Sequence, residues 1–166
     1  MNNRLSALIF LILTIISCKN DIAEKNSDSI VSTSQLGNLI ADTIIYDVII
    51  KNPNPYDKWT TECLQHLNRT DFVNNIFQAV YNKEVEAYGY FDNDRIKPKK
   101  LQKMETNGEI VRDRIGKIQF TEKWYYDRNN LVFNKKILSV VLGEEIISQD
   151  SSIRGYKPIF KVDLNN

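Results

Sequence analysis

The chain holds one histidine, His66, so any Ser-His-Asp or Cys-His nucleophile would have to run through it. Cys63 stands three positions earlier, which on a helix places thiol and imidazole on adjoining faces. Two ligands fall short of the four that close a zinc site. Cys63 also shares a four-residue spacing with Trp59 and Leu67, which predicts a small core residue. Asp92-Asn93-Asp94 has the opening of a calcium loop, but the glycine and the distal glutamate are missing and Arg95 would repel the ion. Glu144 and Glu145 are neighbours, so in a strand they point to opposite faces, a poor arrangement for a paired acid and base; a solvated strand end is the expectation there. No glycine-rich phosphate loop, GxSxG elbow or HExxH pattern occurs. These residue types predict no catalytic site, no metal and no cofactor.

The conspicuous side chains are instead aromatic: Trp59, Tyr88, Tyr90, Trp124, Tyr125 and Tyr126. Aromatics with a polar tip are common at protein interfaces. The chain carries 22 basic and 21 acidic side chains, and Arg4 is the only charged one before Cys18, leaving 21 of each sign beyond it. That balance argues against nucleic acid, whose backbone attracts a marked excess of Lys and Arg.

The elements that must position these residues centre on 117–145. Ile118, Phe120, Trp124 and Tyr126 share one parity, while Gln119, Thr121, Lys123, Tyr125 and Asp127 share the other, the period of a half-buried strand. Asp127-Arg128-Asn129-Asn130 tolerates turn geometry, and the run Leu131-Val132-Phe133 leading to Ile137–Leu142 completes a predicted antiparallel hairpin. Trp124 and Tyr126 are expected inward and Tyr125 on the wet face, which makes Lys123, Tyr125, Asp127, Arg128, Asn129 and Asn130 the candidate partner-binding residues. Upstream, 42–50 predicts a strand covered on both faces. Asp57 caps a helix with the stripe Trp59, Cys63, Leu67, and Thr70-Asp71 opens a second with Phe72, Val73, Ile76, Phe77 and Val80 on one side; both helices are expected to share one core. Val85–Phe91 predicts an aromatic strand with Gly89 at a close approach, and Pro98 starts a third helix ending at Asn107-Gly108. A last strand from Tyr156 to Leu164 contains Pro158, which marks a sheet edge.

Residues 1–17 read as a processing segment: one positive charge at Arg4, an apolar run over Leu5–Ile16, and small Ser17. Ile15-Ile16-Ser17-Cys18 resembles the lipobox of bacterial lipoproteins. That likeness implies cleavage before Cys18 and acylation of Cys18, and several acyl chains hold a protein on a bilayer stably. Residues 18–40 are polar and lack periodicity, so they read as the lipidated cysteine and a flexible tether. Residues 41–166 are left as a single domain, expected to be α+β with a mainly antiparallel sheet and two or three helices packed on one face.

Trp124-Tyr125-Tyr126-Asp127-Arg128, preceded by Ile118–Lys123 and followed by an Ile/Val/Leu strand, resembles the C-terminal half of GldN/PorN proteins. Arg154-Gly155-Tyr156-Lys157-Pro158-Ile159-Phe160 is similar to their final strand, and Ile76–Val80 followed by Glu86-Ala87-Tyr88 to an earlier helix and strand. The likeness spans about residues 70–95 and 110–162. GldN/PorN proteins serve gliding motility and type IX secretion in Bacteroidetes; they are longer and are soluble periplasmic partners of a separate lipoprotein. The resemblance implies a GldN-like accessory module, with no catalytic residues carried over. Together these readings predict a non-catalytic outer-membrane lipoprotein, facing the periplasm or the cell surface, that binds an envelope protein. The alternative is a glycan- or peptide-binding lipoprotein acting through Trp59, Tyr88, Tyr90 or Tyr125. Replacing Cys18 with Ala is expected to move the protein from the membrane fraction to the soluble fraction; unchanged fractionation would overturn the anchor.

Overall fold

The computed structural model describes residues 36–164. Cys18, the apolar leader and most of the tether lie outside the described residues. In chain order the elements are β1 (Asn38–Ile49), α1 (Lys58–Leu64), α2 (Arg69–Tyr81), β2 (Ala87–Tyr88), β3 (Arg95–Ile96), α3 (Pro98–Thr106), a 3-10 turn (Arg112–Arg114), β4 (Ile115–Asp127), β5 (Val132–Ile147) and β6 (Ile153–Asp163). The six strands form one antiparallel sheet in the order β1-β4-β5-β6-β2-β3, so the fold is α+β.

The alternating stretch does form the hairpin, β4 against β5, and both strands run longer than the pattern alone indicates. Asp127 Oδ1 accepts from the backbone N–H groups of Asn129 and Asn130, and Leu131 closes the turn at φ 55. An Asp side chain folded onto its own turn explains why this cluster reverses the chain.

One face of the sheet, the helix face, carries the core. Ile118, Val140, Leu142, Phe160 and Val162 pack there against Val73, Phe77 and Val80 of α2 and Leu101 of α3. Asn68 caps α2 by accepting from the Asp71 N–H, and Pro98 occupies the first turn of α3. Phe77 meets Phe160 edge to face at 5.2 Å, with the Arg112 guanidinium 4.3 Å above its ring.

Helix α1 departs from its expected role. It has no buried residue; Trp59 is 73% exposed, and Cys63 lies on the surface. The helix stops at Leu64, so Leu67 falls beyond its end and the stripe never completes. Polar bonds seat it instead: Thr60 N–H donates to the Asp57 cap, and Asn52 Nδ2 donates to the Asp57 carbonyl and Thr61 Oγ1, both at 2.8 Å.

Three other expectations are corrected. Asn38–Ile40 belongs to β1, pairing with Tyr126 and Tyr125, so the folded unit starts before residue 41. β1 is a sheet edge, with Ile45 58% exposed, and bulges around Ala41 with Thr43 at φ 61 blunt it. The aromatic strand shrinks to Ala87–Tyr88, because Gly89 N–H turns to the Asp94 carbonyl at 2.8 Å; the close approach at Gly89 is that of the Asp92 carboxylate. β6 lies inside the sheet order, but β2 pairs only with its Lys161 and Val162, so the stretch at Pro158 does have the open edge expected of it, and a bulge between Phe160 and Pro158 puts Phe160 on the core side and Tyr156 and Pro158 on the other.

Because Phe77 is fully buried at the centre of the core, Phe77→Ala is expected to cost about 3–5 kcal/mol in urea unfolding. A loss below about 1 kcal/mol would show that the helix layer does not anchor the sheet.

Candidate functional site

Three glutamates, Glu122, Glu144 and Glu145, are buried among the described residues. The last two do point to opposite faces, but neither is solvated. Glu144 meets Arg114 Nη2 at 2.8 Å and Lys157 Nζ at 3.1 Å, which ties β5 to the 3-10 turn and to β6. Glu145 Oε2 accepts from Lys51 Nζ at 2.7 Å; the same ammonium donates to the Asp113 carbonyl at 2.9 Å. Gly116 leaves room for this pair, since a Cβ there would stand 2.9 Å from both Glu145 Oε1 and the Tyr156 ring and one of them would have to shift. Two carboxylates on opposite sides of one strand, each beside cations, cannot share a proton as an acid–base pair.

Glu122 organises a different arrangement. On the helix face, beyond the last residue that α2 and α3 cover, its Oε1 accepts from Tyr46 Oη at 2.8 Å and its Oε2 from Trp124 Nε1 at 2.8 Å. Lys135 Nζ lies 3.6 Å from Oε2, 4.9 Å over the Trp124 ring and 5.3 Å over Tyr46. Phe133 packs edge to face on Trp124 at 5.4 Å, and Ile137 stands opposite Glu122 in the ladder. Phe133 is 48% exposed and Ile137 38%. The result is a half-open apolar platform whose polar tips converge on one carboxylate. Burial pushes the Glu122 carboxyl up, but the bonds from Trp124 and Tyr46 and the Lys135 charge outweigh it and hold it below the ordinary carboxylate value. Burial, then the adjoining carboxylate, raises the Tyr46 hydroxyl, so it stays a neutral donor. A carboxylate locked in its charged form orients its neighbours and has no proton to give.

The residues expected to bind a partner are not gathered in one site. Tyr125 is 5% exposed, a reversal of the expected wet position. Asn134, opposite it in the ladder, donates to the Leu36 carbonyl at 2.8 Å, bringing the Leu36–Gly37 segment onto that face. Trp124 and Tyr126, expected inward, are only half-buried, because the strand outruns the helices. Lys123 is paired with Asp42 at 3.0 Å. Asp127 and Asn130 hold the turn, Asn130 Nδ2 donating to Asp127 Oδ2 at 2.7 Å, and Arg128 and Asn129 are exposed there. Sequence parity missed the platform because burial on a strand depends on what lies over it; the signal available was Glu122 on the apolar parity between Phe120 and Trp124.

The other aromatics are also scattered. Trp59 is on α1, Tyr88 donates to Glu86, and Tyr90 pairs with Phe91 at 5.0 Å. Cys63 and His66 are both exposed. Among the described residues no group of His, Cys, Asp and Glu could hold a metal, and no helix is long and apolar enough to cross a membrane. No family model and no curated protein matches the chain.

The lowered Glu122 pKa sets the sign of a pH effect. The unfolded chain binds this proton more tightly, so the stability that Glu122 contributes is full above its ordinary value of 4.5 and is lost as pH falls through the folded value. The thermal midpoint of the wild type should exceed that of Glu122→Gln at neutral pH, with the gap closing below about pH 4.5. A gap that persists or widens in acid would contradict this account.

Proposed function

We propose that this protein is a non-catalytic lipoprotein of the outer membrane that binds another cell-envelope protein through the Trp124–Phe133–Ile137 platform. The observation that carries the reading is a half-exposed strand face on which Trp124 is held by Glu122, with Tyr46 and Lys135 on the same carboxylate. An exposed apolar strand face suits a protein partner, whereas small-molecule sites are clefts or cavities. Pre-set rotamers reduce the ordering cost of association, which runs to about 0.5–1.5 kcal/mol for each rotamer-rich side chain. Trp at the centre, apolar neighbours, and the charged Lys135 on the same face match the composition of interface cores and rims.

The lipobox-like Ile15-Ile16-Ser17-Cys18 supports attachment to the membrane, and the resemblance of 110–162 to GldN/PorN proteins supports a partner in the gliding or type IX secretion apparatus. Phe133→Ala combined with Ile137→Ala truncates two exposed side chains and leaves the core intact. The double variant should keep its thermal midpoint and lose at least about tenfold in affinity for the protein that crosslinks to the wild type in intact cells. Equal crosslinking of both proteins to the same partner would sink the platform reading.

A further inference from the structure

On the face opposite the helices, β1, β4, β5 and β6 border a groove of about 220 Å³. Asp47, Lys117 and Gln119 line one side, Tyr156 another, and Tyr90 and Phe91 from the β2–β3 loop form its rim. Asp47 Oδ2 accepts from Lys117 Nζ at 2.7 Å and Asp47 Oδ1 from Gln119 Nε2 at 3.0 Å. The carboxylate and the ammonium cancel each other's charge. Each carboxylate oxygen keeps a free lone pair, the amide keeps its carbonyl and a second N–H, and the ammonium keeps protons. Together they form an electrically neutral fan of donors and acceptors.

The rim is apolar and fixed. Phe91 is 88% exposed, yet its ring stands edge to face on Tyr90 at 5.0 Å. Lys161 Nζ donates to Asn93 Oδ1 at 2.9 Å and Gly89 N–H to the Asp94 carbonyl at 2.8 Å, tying the loop to β6 and to itself. The groove chemistry narrows the ligand. A cation finds the Tyr156 ring already taken by Lys117, 5.4 Å from its centroid, and an anion meets Asp47. An extended peptide adds along a strand edge, whereas the floor of this groove is the face of β4 and β5, which spend both backbone edges on neighbouring strands. The volume lies below the ~300–1,000 Å³ of pockets for drug-sized ligands. What remains is a small, uncharged molecule with hydroxyls on its rim and C–H groups on its face.

We infer that this groove binds a single neutral pyranose ring, its C–H face against Phe91 and Tyr90 and its hydroxyls on Asp47, Gln119 and Lys117. This goes beyond the platform reading and uses the other face of the sheet. The test is NMR titration of the full chain with the methyl glycosides of glucose, galactose and N-acetylglucosamine. At least one glycoside should shift Gln119 side-chain and Tyr90 ring signals saturably, with a dissociation constant on the order of millimolar. Phe91→Ala and Gln119→Ala should each weaken it about fivefold or more without moving the thermal midpoint, while Phe133→Ala, on the helix face, leaves it unchanged. The inference is overturned if no glycoside shifts these signals at tens of millimolar, or if both groove variants bind as the wild type does. It is overturned equally if a proline-rich peptide saturates the groove and the glycosides do not.

Discussion

Three carboxylates withdrawn from water govern the sheet, because each must find its compensation where it stands, Glu144 and Glu145 at one end of the β4–β5 hairpin and Glu122 seven residues along β4 from the partner of Glu144. Moving an ion out of water costs several kcal/mol even after relaxation, and well-placed partners must offset that cost. Glu144 finds Arg114 and Lys157, Glu145 finds Lys51, and Glu122 finds Tyr46, Trp124 and Lys135. The partners come from β1, β4, β5, β6 and the segments leading into them. A slip of one residue in β5 would exchange the faces of Glu144 and Glu145 and strand both charges. The same two residues therefore tie three neighbouring segments to one register.

The second constraint is length. β4 and β5 run 13 and 16 residues, and α2 and α3 run 13 and 9. A strand rises about 3.3 Å per residue and a helix 1.5 Å, so the helices cover roughly half of the hairpin. Below that limit the helix face is a dry core of Phe77, Phe160, Leu142 and Ile118. Above it the same face is half-wet, and the chain places Trp124, Phe133, Tyr46 and Lys135 there around one glutamate. The Tyr46 and Phe120 rings, 5.8 Å apart, join the two regions.

This length mismatch also marks what could be read from residue order. Local chemistry was legible: the Asp57 cap, the Pro98 start, the Asp127 turn and the 3.6-residue stripe of α2 each depend on neighbours in sequence. The antiparallel α+β class was legible too, since period-two alternation and one strong helix stripe leave few other layers. Burial beyond the helix layer was not. Tyr125 and Trp124 are neighbours in one strand, yet Tyr125 is buried and Trp124 half-buried, a difference that the alternation itself does not contain. Trp59 and Cys63 show the same limit on a helix: their spacing is apolar, but the surface that α1 meets is polar.

A surface aromatic cluster normally carries a cost, since mobile apolar side chains invite nonspecific contact and must be ordered when a partner arrives. Glu122 changes that balance. Its two oxygens take the Tyr46 hydroxyl and the Trp124 indole N–H, the only strong donor on each of those side chains, so each ring is fixed by one directional bond. Lys135 then lies over both rings while remaining near the carboxylate, which neutralises the buried charge and keeps one flank of the platform wet. A neutral residue at position 122 could fill the same volume but could not hold both donors and the cation at once. The buried charge thus belongs to the surface above it: it holds the rings of an apolar patch in place at the open end of a sheet too long for its helices.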